Sequence, residues 1–302
     1  CNYEVIVVDN HSSDGTLEMI KANFPDVRTI ENERNRGPAE ARNQAIELSN
    51  GDFLWFLDSD TIVPDDRCLS FMVSAMLENE KFGAIGGELI RGSDGRKAML
   101  DKKILLNGDT DTFFIEPESC LMRETGYLST CNCMIRTGLM KKIGGFDPEY
   151  FFLGEDVEVG YMIRKNGYSN IMDFRSAVIH VMHPKSRMNS FYLNCRNNIR
   201  FAVKNYPAHI IPALPLLDIF YAFTSNKISM VRSHSEMIKK YLPETGEGKA
   251  VGGPMFLIKT AIRYLAGLFG GYIWNAVNLP RTLKSRRTER NYLVNCGADE
   301  RR

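Results

Sequence analysis

Short apolar runs alternate with amphipathic stretches through the first half of the chain. Residues 5–8, Val-Ile-Val-Val, have the pattern of a strand covered on both faces of a parallel sheet. Asp9-Asn10-His11-Ser12-Ser13-Asp14-Gly15-Thr16 follows with turn and N-cap chemistry, predicting a helix over residues 17–23. Residues 27–31 read as a second strand, and Pro38, suited to a first helical turn, opens a helix over 39–48. Residues 53–57 form a third buried strand ending at Asp58-Ser59-Asp60. Pro64-Asp65-Asp66 starts a helix running to Met76, and residues 84–90 make a fourth strand. This alternation predicts an α/β fold with a doubly wound, mostly parallel sheet.

Residues 92–125 are polar and irregular, a long connection of the kind that covers a site. Regular signals return as a strand over 128–135, a helix over 137–143 and a turn at Gly144-Gly145-Phe146-Asp147-Pro148. A helix over 156–166 and a strand over 177–181 follow. Residues 187–205 have helical spacing, with Phe191, Cys195, Ile199 and Ala202 along one side. A catalytic body over residues 1–206 is therefore expected, with a helical C-terminal extension over 207–302. In that extension, residues 210–223 and 254–280 are apolar and aromatic. The second stretch is long enough to cross a bilayer, but Lys259, Arg263, Asn275, Asn278 and several glycines dilute it. Arg281, Lys284, Arg286, Arg287 and Arg290 come next, suited to an anionic lipid surface. Helices lying in the membrane interface are the expectation, ahead of a true span.

Composition narrows the class. The 302 residues carry 38 Lys+Arg against 37 Asp+Glu, a net charge of +1, with 44% hydrophobic and 25% charged residues. This ordinary globular usage excludes a disordered, collagen-like or multi-span chain, and gives no overall electrostatic case for nucleic acid. Seven cysteines are scattered, and Cys131-x-Cys133 lacks the spacing of redox or zinc sites. Buried reduced thiols in a cytoplasmic protein are the expectation, a metal or disulfide pair the alternative. The chain opens on Cys1 and enters an apolar strand at once, which reads as a truncated start without a signal peptide.

Ligands of doubly wound sheets gather at the carboxyl ends of strands. Asp9 follows Val8 at one such end, and Asp58 and Asp60 follow Leu57 at another. Carboxylates spaced in this way can give hard oxygen ligands to Mg²⁺ or Mn²⁺ and leave positions for substrate phosphates. A second Asp-x-Asp, Asp109-Thr110-Asp111, follows Asn107-Gly108 and is expected to be a solvated turn.

Val7-Val8-Asp9-Asn10-x-Ser12-Ser13-Asp14-Gly15-Thr16, Asn35-x-Gly37-x-x-x-Ala41-x-Asn43 and Asp58-x-Asp60 closely resemble the nucleotide-binding half of family 2 glycosyltransferases. Gly144-Gly145-Phe146-Asp147 and Gly154-Glu155-Asp156 resemble that family's acceptor side. The resemblance covers residues 3–205 and implies the GT-A fold. It also implies inverting transfer of a hexosyl- or rhamnosyl-type sugar from a nucleotide-diphosphate donor, with Mn²⁺ or Mg²⁺. A glycan or lipid-linked acceptor in cell-surface polysaccharide synthesis follows, at the cytoplasmic face of the membrane. Asp9 then resembles the carboxylate for base or ribose, Asp58 a group beside the ribose or diphosphate, and Arg36 (or Arg34) a base or phosphate contact. Asp60 resembles the principal metal ligand, with His180, or less readily His183, completing the site. Asp156 resembles the catalytic base, with Gly154 and Glu155 beside it on the acceptor side. Lys185, Arg187 and Arg196 are weaker candidates for holding diphosphate. Asp9 could instead serve as an Asx-turn cap, and Glu155 and Asp156 as helix caps. The family opens with a strand that this sequence lacks, so a gap in the sheet is expected. Alternative readings are a sugar-phosphate nucleotidyltransferase and an inactive membrane-associated scaffold.

Overall fold

The structure, a computed structural model, describes residues 2–91, 97–98, 100–114, 121–181, 190–224 and 254–286. The chain divides into two compact units, one of residues 1–103 and 114–184, the other of residues 104–113 and 185–302. The helix ending near residue 205, expected within the first, groups with the second.

In the first unit β1 (Ile6–Asp9), α1 (Thr16–Asn23), β2 (Arg28–Glu31) and α2 (Pro38–Leu48) come in the expected order. β3 (Phe53–Leu57), the short β4 (Thr61–Ile62), α3 (Cys68–Glu78) and β5 (Phe82–Arg91) follow. The expected irregular connection after β5 instead contains β6 (Lys97–Ala98), the hairpin β7 (Leu100–Ile104) and β8 (Thr110–Phe114), and β9 (Met122–Thr125). Consecutive Lys102 and Lys103 interrupt the alternation in β7, which hides the strand from a pattern reading. β10 (Asn132–Arg136), α4 (Thr137–Lys142), α5 (Glu155–Lys165) and β11 (Ser169–His180) complete the unit.

The principal sheet runs β3-β10-β5-β11-β4, with β6 beside β5 and β9 beside β11. β10 is antiparallel to both β3 and β5, and β11 is parallel to β5. β3, β5 and β11 therefore point the same way, and their carboxyl ends share one rim. Alternation along the strands makes two cores. Leu54, Phe56, Cys133 and Ile135 pack with residues of α2, α4 and α5 on one face. Phe53, Trp55 and Met134 pack with Met72 and Met76 of α3 on the other. The result is a helix–sheet–helix sandwich.

β1 pairs in parallel only with β2, in a separate two-stranded sheet. Among the described residues no strand joins β1 to β3. Ile6–Val8 are consequently half-buried instead of enclosed on both faces, and Val5 and Leu57 stay exposed.

The second unit consists of α6 (Ser190–Asn205), α7 (Leu214–Thr224), α8 (Pro254–Val277) and the hairpin tip at residues 104–113. α8 crosses α6 closely: a β-carbon on Gly271 would lie 3.0 Å from the Arg196 backbone nitrogen. Asn275 Nδ2 donates to the Arg196 carbonyl at 2.8 Å. Asp218 of α7 is buried, accepting from Asn107 Nδ2 at 2.8 Å and from the Tyr272 hydroxyl. Asp109 and Asp111 are buried too, which corrects the expectation of a solvated turn. The tip packs against α6, where a β-carbon on Gly108 would meet the Asn198 carbonyl oxygen at 2.2 Å. No helix of the described residues is long and apolar enough to cross a membrane.

Candidate active site

Strand register brings the candidate donors together. β3 ends at Leu57, paired with Asn132 at the start of β10, so Cys131 and Asp58 leave the sheet side by side. β4 returns immediately and pairs with the end of β11, setting His180 opposite Thr61. The backbone closes this corner: Thr61 N–H donates to the Asp58 carbonyl at 3.0 Å, and Val181 N–H to the Asp60 carbonyl at 2.8 Å. His180 Nε2 consequently sits 3.1 Å from Asp60 Oδ1. A carboxylate oxygen of Asp58, the Cys131 sulfur and a ring nitrogen of His180 lie within 4.8 Å of one another. The two carboxylates, half-buried and open to solvent, fit a divalent cation that also binds a phosphate-bearing ligand. His183, Lys185 and Arg187 lie outside the described residues. Arg196 belongs to the second unit, where its guanidinium stacks 4.7 Å from the Trp274 ring centre.

The segment expected on the acceptor side is held under strain. Phe151 and Leu153 take positive φ values of 55° and 69°, and Gly154 follows at 93°. Such conformations cost about 1–3 kcal/mol each and persist only where surroundings enforce them. Here Gly37 is the enforcing neighbour. At φ 82° it has the freedom only glycine offers, and a β-carbon there would meet the Phe151 carbonyl oxygen at 2.8 Å. Asn43 grips the adjoining loop, donating to the Phe146 carbonyl at 2.7 Å and accepting from its N–H at 2.8 Å. The spaced glycines and asparagines of the two motifs thus meet in space.

Glu155 and Asp156 then begin α5, and burial pushes both carboxyls above their usual range. At Asp156 the positive charges of Lys102 and Arg42 oppose that shift. Glu155 is pushed up to about 7, by its own burial and then by the neighbouring Asp156 charge. Arg42 joins the acids to the cation corner. One guanidinium nitrogen lies 3.0 Å from Glu155 Oε1 and the other 2.9 Å from Asp58 Oδ1, over the Phe146 ring. Neither Arg42 nor Lys102 was a candidate from the sequence. Arg42 stands between Ala41 and Asn43 of a motif whose other members were recognised, and that position was its only signal.

Asp9 and Arg36 do not touch this cluster. Asp9 is buried at the end of β1, and its Oδ2 accepts from Ser12 N–H, three residues on, at 3.0 Å, which fixes the turn that follows the strand. Asn10 beside it accepts from Arg36 N–H and donates to the Gly37 carbonyl, both near 3 Å, tying this strand end to the Gly37 loop. The Arg36 side chain lies at the surface, 3.3 Å from Glu40. Cys131 and Cys133 do not form a common site: Cys133 faces the core, where burial holds its thiol far above the usual range. Cys68, Cys131 and Cys133 are buried free thiols, and Cys195 is buried as well. A cavity of about 490 Å³ lined by Asp52, Phe53, Arg136 and Tyr168 opens at the opposite end of β3, away from these acids.

Known proteins resemble this chain in sequence and in fold. The model of the family described as "Glycosyl transferase family 2" matches residues 1–144. The uncharacterized glycosyltransferase YfnE of Bacillus subtilis is 28% identical over 253 residues, covering 66% of this chain and 64% of that protein. The poly-beta-1,6-N-acetyl-D-glucosamine synthase of Staphylococcus epidermidis is 27% identical over 169 residues, covering 55% of this chain and 39% of the synthase. The chain thus matches less than two thirds of either relative. Among solved structures, GalNAc-T7 with UDP, GalNAc and Mn²⁺ superposes with a TM-score of 0.57 at 17% identity, covering 83% of this chain and 52% of that one. That likeness shows the fold, the GT-A type that the sequence led us to expect. Residues 1–144, just under half of the chain, thus resemble glycosyl transferase family 2, and the fold is of the GT-A type.

Proposed function

We propose that the first unit transfers a sugar, with inversion, from a nucleotide-diphosphate donor to a hydroxyl of a glycan or lipid-linked acceptor in cell-surface polysaccharide synthesis. The observation that carries this reading is the convergence of Asp58, Asp60 and His180 at one strand rim, with Arg42 linking Asp58 to the acids at the start of α5. Asp58, Asp60 and His180 would hold Mn²⁺ or Mg²⁺, and the crystallised relative with UDP and Mn²⁺ supports such a cofactor. A divalent cation in such a site offsets the charge of a departing diphosphate.

The remaining work belongs to side chains. Asp156 takes the proton of the acceptor hydroxyl as its oxygen bonds to the anomeric carbon. The bond from that carbon to the diphosphate breaks on the opposite face, and the electron pair leaves with the nucleoside diphosphate. The charges of Lys102 and Arg42 favour the ionised form of Asp156 that the step requires. In this reading Asp9 contacts the donor's base or ribose, and Arg36 its base or a phosphate. Asp9 would use the carboxylate edge left free by its bond from Ser12, and Arg36 would have to leave Glu40. Gly154 and Glu155 shape the acceptor side.

Membrane association is part of the proposal and rests on the second unit. Ile262, Leu265, Phe269, Ile273 and Val277 make an exposed stripe along α8, and Leu216, Ile219 and Phe220 are exposed on α7. Gly271 and Asn275 take the buried side of α8. Helices that turn polar residues inward and apolar ones outward suit an interfacial lipid layer. Exposed Arg263, Arg281 and Lys284 suit its anionic headgroups.

The test is to incubate the protein with a panel of nucleotide sugars and Mn²⁺. Nucleoside diphosphate release supports transfer. Exchange of pyrophosphate into the donor supports the nucleotidyltransferase alternative, and inertness toward every donor supports the scaffold.

A further inference from the structure

The cation corner contains a donor that neither the motif nor the proposed mechanism uses. Cys131 stands in the turn just before β10, its thiol 3.2 Å from Ser129 Oγ, and only 3% of the residue is exposed. Its carbonyl accepts from Thr61 Oγ1 at 3.4 Å, which pins it to the same turn that carries Asp58 and Asp60. Asp58, Cys131 and His180 each direct one ligand atom into a space where all three lie within 4.8 Å of one another. Two atoms bound to one ion at bond lengths of roughly 2.0–2.3 Å stand up to about 4.5 Å apart, so small side-chain shifts suffice for common coordination. Cys133, two residues on, points into the core, so the thiol at the corner is there by position and not as half of a cysteine pair.

We propose that Cys131 is a ligand of the cation site, giving Asp58, Asp60 and His180 a thiol partner and the site a mixed hard and soft character. The proposal rests on the metal-dependent reading above and deepens it. Carboxylates alone favour Mg²⁺ and Mn²⁺, whereas imidazole and thiolate favour Zn²⁺, Cd²⁺ and Co²⁺. A site with both binds the softer ions more tightly than the ions a transfer reaction uses. Such ions would then compete with Mn²⁺, making the chain sensitive to thiophilic metals. Binding releases the thiol proton to solvent, since a coordinating thiol is held as thiolate.

The test uses Co²⁺ and Cd²⁺ on the whole chain, with no donor present. Co²⁺ bound through sulfur shows a near-ultraviolet charge-transfer absorption that oxygen and nitrogen ligands do not give. The expected result is that band in the wild type, its loss in Cys131→Ser, and Cd²⁺ binding at least about tenfold weaker in the variant, with a smaller change for Mn²⁺. Asp60→Asn and His180→Ala keep the thiol and should also diminish the band, which guards against misfolding of the cysteine variant alone. A wild-type spectrum without the band overturns the proposal, as does a band or Cd²⁺ affinity that Cys131→Ser leaves unchanged. Failure of the transfer reading is distinguished because it appears as absent nucleoside diphosphate release, whatever the cobalt spectrum shows.

Discussion

Asp156 and its neighbours show how a side chain's surroundings set its chemistry. Burial pushes this carboxyl above its usual range, and the charges of Lys102 and Arg42 oppose that shift. If Asp156 is the base, Asp156→Asn should lower kcat by about 10²–10⁴-fold while donor affinity, measured by calorimetry with Mn²⁺, stays close to wild type. Equal loss of both would reassign the residue to a structural role. The pH dependence follows from the sign of the shift. Because the group is raised, the acid limb of the rate profile should lie above the usual aspartate value of 3.8. Lys102→Met removes a cation that favours the ionised form, so that limb should move to still higher pH. A pH–rate profile of the variant checks this, and an unmoved limb would show that Lys102 does not govern the base. Arg42 acts on two acids at once through its forked guanidinium, a geometry that lysine could not reproduce.

At the level of elements, the loop before α5 depends on the loop before α2. The backbone of Gly37, at φ 82° and ψ 162°, sits in a region that other residues rarely occupy, directly against Phe151. Gly37→Ala should therefore cost about 1–3 kcal/mol from conformation, with the Phe151 clash in addition. Thermal melting should show the loss, and kcat should fall more than stability alone accounts for, because the segment carrying Glu155 and Asp156 must shift. A variant that melts lower but keeps full kcat would separate the loop from catalysis. The motif glycines and asparagines were legible as a set because each fills a local requirement: a turn, a left-handed residue, a cap. Their pairing was not legible. Asn43 binding Phe146, and Gly37 abutting Phe151, join segments more than a hundred residues apart. The strands within 92–125 were missed for a different reason: short strands with charged side chains have little periodicity to detect.

For the whole molecule, the second unit carries the distinguishing prediction. Replacing Phe269 and Ile273 with serine removes two exposed side chains from the α8 stripe, each worth about 1.5–3 kcal/mol when fully buried in an apolar phase. The double variant should bind anionic vesicles at least about tenfold more weakly in flotation assays, with its melting temperature little changed. Vesicle binding that survives the substitution would remove the stripe from the membrane proposal. The sequence by itself determined the local features: the order of the main strands and helices as far as β5, the acids following Val8 and Leu57, and the strongly apolar C-terminal helices. Each follows from neighbours within a few residues, where periodicity, turn chemistry and charge act directly. Only the tertiary structure decided that Cys131 shares the corner of Asp58 and His180, and that Arg42 bridges Asp58 to Glu155. Those outcomes depend on which strand pairs with which and in what register, a choice made by long-range burial. The same burial seats the small and polar side of α8 on α6 and leaves the apolar side outward.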